Sequence, residues 1–189
     1  YPLPSELNPT AQELYKKNIF CVTKELAYSK ENDNRIDLMV SLNGLPLITM
    51  ELKNHYTGQT VENAVKQYQT DRDPKDPLLA PKRCAVHFAV DDDDIKMCTW
   101  LCGKGSWFLP FNKGLNGGAG NPVNPKGVRT AYLWEEILAK ESLSDIIENY
   151  AQVVKKKDEK TGTEKTSVVW PRYHQLDGVR RLLAATRQK

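Results

Sequence analysis

The chain has 189 residues, 40% of them hydrophobic and 27% charged, with a formal net charge of +3. That length predicts one domain with room for a small appendage, and the hydrophobic share excludes wholesale disorder. Val40 to Met50, within a central run without a charge, is too short and broken to span a bilayer, and Tyr1 to Ser5 lack both the basic and the apolar region of a secretory signal. The chain opens without an initiator Met and is expected to be a piece of something longer. Its charge is uneven. Residues 155–189 carry 10 Lys and Arg against 4 Asp and Glu, a net of +6, while residues 1–154 carry 17 against 20, a net of −3. Such asymmetry predicts two functional parts, and an acidic body that handles DNA must do so through a local site.

Phe20 to Tyr28 is rich in β-formers and predicts a strand, followed by the polar turn Ser29–Asn34. In Arg35 to Leu42, the residues Ile36, Leu38, Val40 and Leu42 alternate with Asp37, Met39 and Ser41, the period of a half-buried strand. Asn43-Gly44 signals a hairpin, and Leu45 to Lys53 is the partner strand, with Thr49, Glu51 and Lys53 sharing a face. Thr60 opens a helix carrying Val61, Ala64, Val65 and Tyr68 inward, which stops by Pro74 and Pro77. Arg83–Val90 and Ile95–Leu101 predict two further strands around Asp91–Asp94. Gly114–Gly127 reads as a loop, Ala131–Ala139 and Ser142–Val154 as helices, and Lys155–Lys165 as a charged linker before a last helix near Arg172.

Cys21, Cys84, Cys98 and Cys102 are expected to stay reduced, in a cytoplasmic setting, since no secretory signal is visible. Cys98 and Cys102 with His87 lack the usual pair spacing of a zinc site, and Cys98 should pack as a small hydrophobe. His87 and His174 have no evident orienting carboxylate and are not expected to act as general bases.

Asp37 on one strand and Glu51-Leu52-Lys53 on the next form the layout a metal-dependent phosphodiesterase requires. Two carboxylates and the Leu52 backbone carbonyl offer hard oxygen ligands to Mg²⁺, and Lys53 points to the same side as Glu51, placed for an attacking water or a developing negative charge. The acid-x-Lys triplet alone is weak, because the chain contains four: those ending at Lys53, Lys75, Lys96 and Lys160. Only Glu51 follows an apolar strand with an acid on its neighbour; an exposed charged sheet face is the competing reading. Register decides. A two-residue Asn43-Gly44 turn puts Asp37 opposite Met50, on the wrong side, whereas a three-residue loop with Gly44 left-handed puts it opposite Thr49 and diagonal to Glu51. The bulged turn is the prediction, and a plain two-residue turn would rule out a shared metal.

Arg35 to Asn54 resembles the PD-(D/E)xK nucleases, and more closely the nuclease domain of the restriction (R, motor) subunit of type I restriction enzymes. The resemblance continues through Thr57–Glu62, Gln67–Pro74, Phe108–Asn112, Gly117–Pro122 and Thr130–Glu135. It implies a restriction-endonuclease-like α/β fold, a mixed sheet flanked by helices with a C-terminal linker and helix. Nuclease domain 1–154 and a linker with the start of a helicase motor at 155–189 are the implied parts, with the chain truncated at both ends. Asp37 and Glu51 would be metal ligands with the Leu52 carbonyl, and Lys53 the catalytic lysine. The family's Gln-xxx-Tyr motif is met by Gln67, but Asp71 stands where its Tyr would be; Tyr68 is a spatial substitute that its helical phase places in the core. The family's upstream acidic helix would be missing here, with Glu13 a weak substitute.

Pro171-Arg172-Tyr173-His174-Gln175 resembles the adenine-contacting Q-motif at the entry to a superfamily 2 motor, which gives Gln175 a role in binding adenine only in the full-length motor. An amphipathic helix with Leu176, Val179, Leu182 and Leu183 inward is the bland reading. No phosphate loop is present, so this chain should not bind ATP. The implied activity is Mg²⁺-dependent cleavage of double-stranded DNA, with Mn²⁺ as a substitute. The implied partners are methyltransferase and specificity subunits and a motor in cis, with no membrane. A non-catalytic interaction module keeping the nuclease fold, or a DNA-repair nuclease of the same superfamily, are the alternatives.

Overall fold

The computed structural model describes residues 8–157, 162 and 164–187. Tyr1–Ser5 and the middle of the stretch read as a linker lie outside them. Its elements are α1 (Pro9–Lys16), β1 (Phe20–Ala27), β2 (Arg35–Leu42), β3 (Leu45–Leu52), α2 (Val61–Thr70), β4 (Val86–Val90), β5 (Ile95–Cys98) and β6 (Leu109–Pro110). A π-helical turn (Leu133–Ile137), α3 (Lys140–Asn149), β7 (Gln152–Lys157), β8 (Glu164–Val169) and α4 (Tyr173–Arg187) complete it. Strands β1 to β6 form one mixed sheet in sequence order, antiparallel except for the parallel pair β3–β4. A parallel pair needs a crossover, and α2 supplies it. The expected α/β class, a mixed sheet flanked by helices with a C-terminal helix, is the observed one.

The sheet buries both faces. On one side Val40, Ile48, Met50, Val86, Phe88 and Val90 pack against Leu133, Leu143, Ile146, Trp170 and Leu176, so the π-turn, α3 and the start of α4 share one core. On the other, α2 lays Val61, Ala64 and Val65 on Ala89, and Tyr68 on Ile36, Leu79 and Leu101. Helix α2 starts on a reciprocal Thr60–Asn63 capping box, and Asp91 beyond β4 accepts the Val61 N–H at 2.7 Å. The helix is thereby tied to the end of the strand it crosses to.

Several local expectations need correction. The Asn43-Gly44 turn is a plain two-residue one, both residues having positive φ (51° and 82°), with Leu42 paired to Leu45. The bulge lies further in. Ser41 pairs with Pro46 but Val40 with Ile48, so Leu47 is the extra residue, and its carbonyl accepts the Ala85 N–H at 2.8 Å beside β4. Pro46 has no N–H to give the ladder, which favours an irregularity beside it. Beyond the bulge Leu38 faces Met50, and one step more brings Asp37 level with Glu51. The plain turn therefore does not exclude a shared site, because the Leu47 bulge restores the parity that the turn removes.

Ile36 does not share a face with Leu38 and Val40; it packs with Tyr68 on the opposite side. The alternation breaks at Asp37, where the facing Glu25 has φ +48° and drops out of the β1–β2 pairing. Helix α3 ends at Asn149 instead of Val154, and the stretch read as a linker contributes to a two-stranded antiparallel ribbon, β7–β8. Lys155 and Lys157 are exposed on this ribbon.

Candidate active site

Asp37, Glu51 and Lys53 come together at the C-terminal end of β3. Asp37 is half-buried, and its Oδ2 accepts the Leu52 N–H at 2.6 Å, so the carboxylate itself bridges β2 to β3 where β2 changes face. Lys53 is half-buried and fixed by its own N–H, which donates to the Val90 carbonyl at 2.8 Å. Glu51 is fully buried (0% exposed). Burial pushes its carboxyl up to about 7; the Arg72 guanidinium and Lys53 pull the other way, while the Asp37 charge adds to the rise.

Arg72 is the residue the sequence reading passed over. Its Nε donates to Glu51 Oε1 at 2.7 Å and its Nη2 to the Arg35 carbonyl at 2.6 Å, and the guanidinium lies 5.9 Å from the Tyr28 ring centroid. The signal was present. Val61, Val65, Tyr68 and Arg72 follow helical spacing, so Arg72 continues the inward stripe of α2 just past its C-terminus. Glu51 Oε2 is buried and without a partner.

The other candidates are placed as follows. Gln67 is half-buried on α2, and its carbonyl accepts the Asp71 N–H at 2.9 Å; among the described residues no hydrogen bond joins its side chain to Asp37 or Glu51. Asp71 is exposed, and Tyr68 is core, as its phase predicted. The Tyr68 hydroxyl lies 2.9 Å from Thr49 Oγ1, which lies 2.7 Å from His87 Nδ1, a buried network one layer behind Glu51. Burial holds His87 down at about 3, so it is neutral and structural. Tyr68→Phe should cost about 1–2 kcal/mol in urea unfolding, because it removes one member of a fully buried network. Glu13 is exposed on α1. At the far end of the chain, the Gln175 amide oxygen accepts the Arg172 N–H at 3.0 Å.

The donor set suits a hard cation: the Asp37 carboxylate, the free Oε2 of Glu51 and a backbone carbonyl are all oxygen. Among the described residues no cluster of three or more His, Cys, Asp or Glu side chains gathers to hold a metal. The arrangement is thus a two-carboxylate site with one acid held by an arginine.

A mixed sheet flanked by helices, with Asp37 on β2 and Glu51 on the antiparallel β3, defines the chain as a mixed α/β protein. The family described as the Type I restriction enzyme R protein N terminus (HSDR_N) matches residues 10–104, half of the chain, and the chain belongs to that family. A search of the curated proteins gave no match. No helix among the described residues is long and apolar enough to cross a membrane.

Proposed function

We propose that the chain is the Mg²⁺-dependent nuclease domain of a type I restriction R subunit, hydrolysing phosphodiester bonds of double-stranded DNA. The observation that carries this reading is the unpartnered buried oxygen of Glu51, set level with Asp37 and followed by Lys53. Asp37, Glu51 and the Leu52 carbonyl would hold the metal, which when bound supplies a polarised water and neutralises charge on the phosphate. Lys53 would orient the nucleophile and stabilise negative charge, and Gln67 would assist from α2. Asp37 lines an open depression with Lys24, Glu25 and Leu52, which gives a backbone phosphate its approach. Methyltransferase and specificity subunits would supply sequence recognition, and a motor in cis would use ATP, in the cytoplasm.

The Glu51–Arg72 pair favours one second reading, a non-catalytic module that keeps the fold, since a scaffold could retain a buried ion pair without chemistry. A plasmid-nicking assay with Mg²⁺ or Mn²⁺, run beside Mn²⁺ binding by electron paramagnetic resonance, separates the two. Glu51→Ala and Lys53→Ala should each lower nicking at least 100-fold, on the scale of losing a charge-stabilising group. Asp37→Ala and Glu51→Ala should abolish Mn²⁺ binding while Lys53→Ala retains it. Equal Mn²⁺ binding in all the variants would refute the nuclease reading, whatever the nicking result.

A further inference from the structure

A second site lies away from these carboxylates, where β5, the loop after it, β8 and the start of α4 enclose a cavity of about 430 Å³. That volume is in the range of small-molecule pockets. Trp100, Trp107 and Trp170 line it with Leu109, Arg172 and Gln175, and no carboxylate does so among the described residues. Trp107 is 75% exposed and Trp100 40%, whereas Trp170 is 3% exposed. An indole so exposed at a cavity mouth is not there for the core.

Trp170, Arg172 and Gln175 bring N–H donors to the lining of this cavity. The indole N–H of Trp170 and the Nε–H of Arg172 are both buried and lack a partner. The Gln175 amide oxygen accepts the Arg172 N–H, and its amide N–H groups can donate. The first turn of the 15-residue α4 carries no acidic residue and adds its positive dipole end. Buried donors without acceptors carry a desolvation cost that an acceptor-rich, negatively charged ligand would remove. Flat aromatic walls add a demand for a planar ring.

Arg172 also lines a neighbouring cavity, of about 530 Å³, with Lys113, His174 and the glycine-rich loop Gly114–Gly120. The two depressions therefore share Arg172, which suits a polymer with repeating rings and phosphates better than a single small anion. We propose that this face binds an unpaired nucleic-acid strand, stacking a base on Trp107 and Trp100 and holding the adjacent phosphate with Arg172 and Trp170. A paired duplex keeps its bases stacked inside and cannot offer a face to the indoles. The inference stands independently of the nuclease reading.

Fluorescence anisotropy of a labelled 12-nucleotide oligothymidylate tests it, with a duplex of equal length, thymidine monophosphate and polyglutamate as competitors. Trp107→Ala, at an exposed position, should weaken oligonucleotide binding roughly tenfold or more. Arg172→Gln should weaken it and reduce the salt dependence by about one phosphate contact. Glu51→Gln should leave it unchanged even where nicking is lost, which keeps the two sites distinguishable. Binding unaffected by Trp107→Ala, or a duplex or polyglutamate competing as well as the single strand, would overturn the proposal. Competition by thymidine monophosphate at equal concentration would replace the strand with a free nucleotide and overturn it also.

Discussion

Arg72→Ala should destabilise the protein by about 3–5 kcal/mol in urea unfolding near neutral pH, the range for removing one partner of a buried ion pair. The loss is larger than a surface salt bridge could give, because Glu51 is fully buried and its Oε2 already lacks a partner. Without Arg72 neither carboxylate oxygen retains one. The Arg35 carbonyl loses its guanidinium donor as well, so β2 and β3 come apart at the point where Asp37 must be held. Arg72→Lys should be intermediate, since one ammonium cannot reproduce the two-pronged contact to Glu51 and Arg35. The double replacement Glu51→Leu/Arg72→Leu should recover most of the stability lost in Arg72→Ala, because two apolar groups remove both desolvation costs. A double variant as unstable as the single one would show that the pair itself, not the orphaned acid, stabilises the fold.

The strands that carry Asp37, Glu51 and Lys53 were legible because both follow a short apolar period bounded by Asn43-Gly44. Helix α2 was legible from its inward stripe and its Thr60 start. What was not legible is how β2 meets β3. The Leu47 bulge depends on a proline in its own strand and on the Ala85 N–H of a distant one, and no local period encodes the second. The change of face at Asp37 depends likewise on Glu25 across the β1–β2 pair. Parity survived because the Leu47 bulge, not one at Gly44, offsets the two-residue turn. Arg72 escaped attention because an arginine among Asp71, Asp73 and Pro74 reads as a solvated turn unless its helical phase is carried past the end of α2. The ribbon β7–β8 was hidden by its lysines, which composition assigns to a linker, whereas Trp170 just beyond it is buried in the main core.

Glu51 and His87 should give wild-type stability a pH plateau that either substitution destroys. The Glu51 carboxyl, ordinarily near 4.5, is raised to about 7 in the folded protein, so its stabilising share is present below 4.5 and lost as pH rises through about 7. His87, ordinarily near 6.5, is lowered to about 3, so its share is present above 6.5 and lost as pH falls toward 3. Between 4.5 and 6.5 the folded state holds one extra proton at Glu51 and one fewer at His87. The two slopes, each about 1.4 kcal/mol per pH unit, cancel there. In His87→Gln only the Glu51 slope remains, and stability relative to wild type should fall by roughly 3 kcal/mol as pH rises from 4.5 to 6.5. In Glu51→Gln the opposite slope remains, and relative stability should rise by a similar amount over the same interval. Urea unfolding at half-unit steps reads both, and two variants with parallel profiles would disprove the linkage. Above pH 7 the wild type alone carries a buried charge that a cation on Oε2 can offset. Mg²⁺ at 10 mM should therefore stabilise wild type at pH 8 and leave Glu51→Gln unmoved, because a ligand stabilises only the state that binds it.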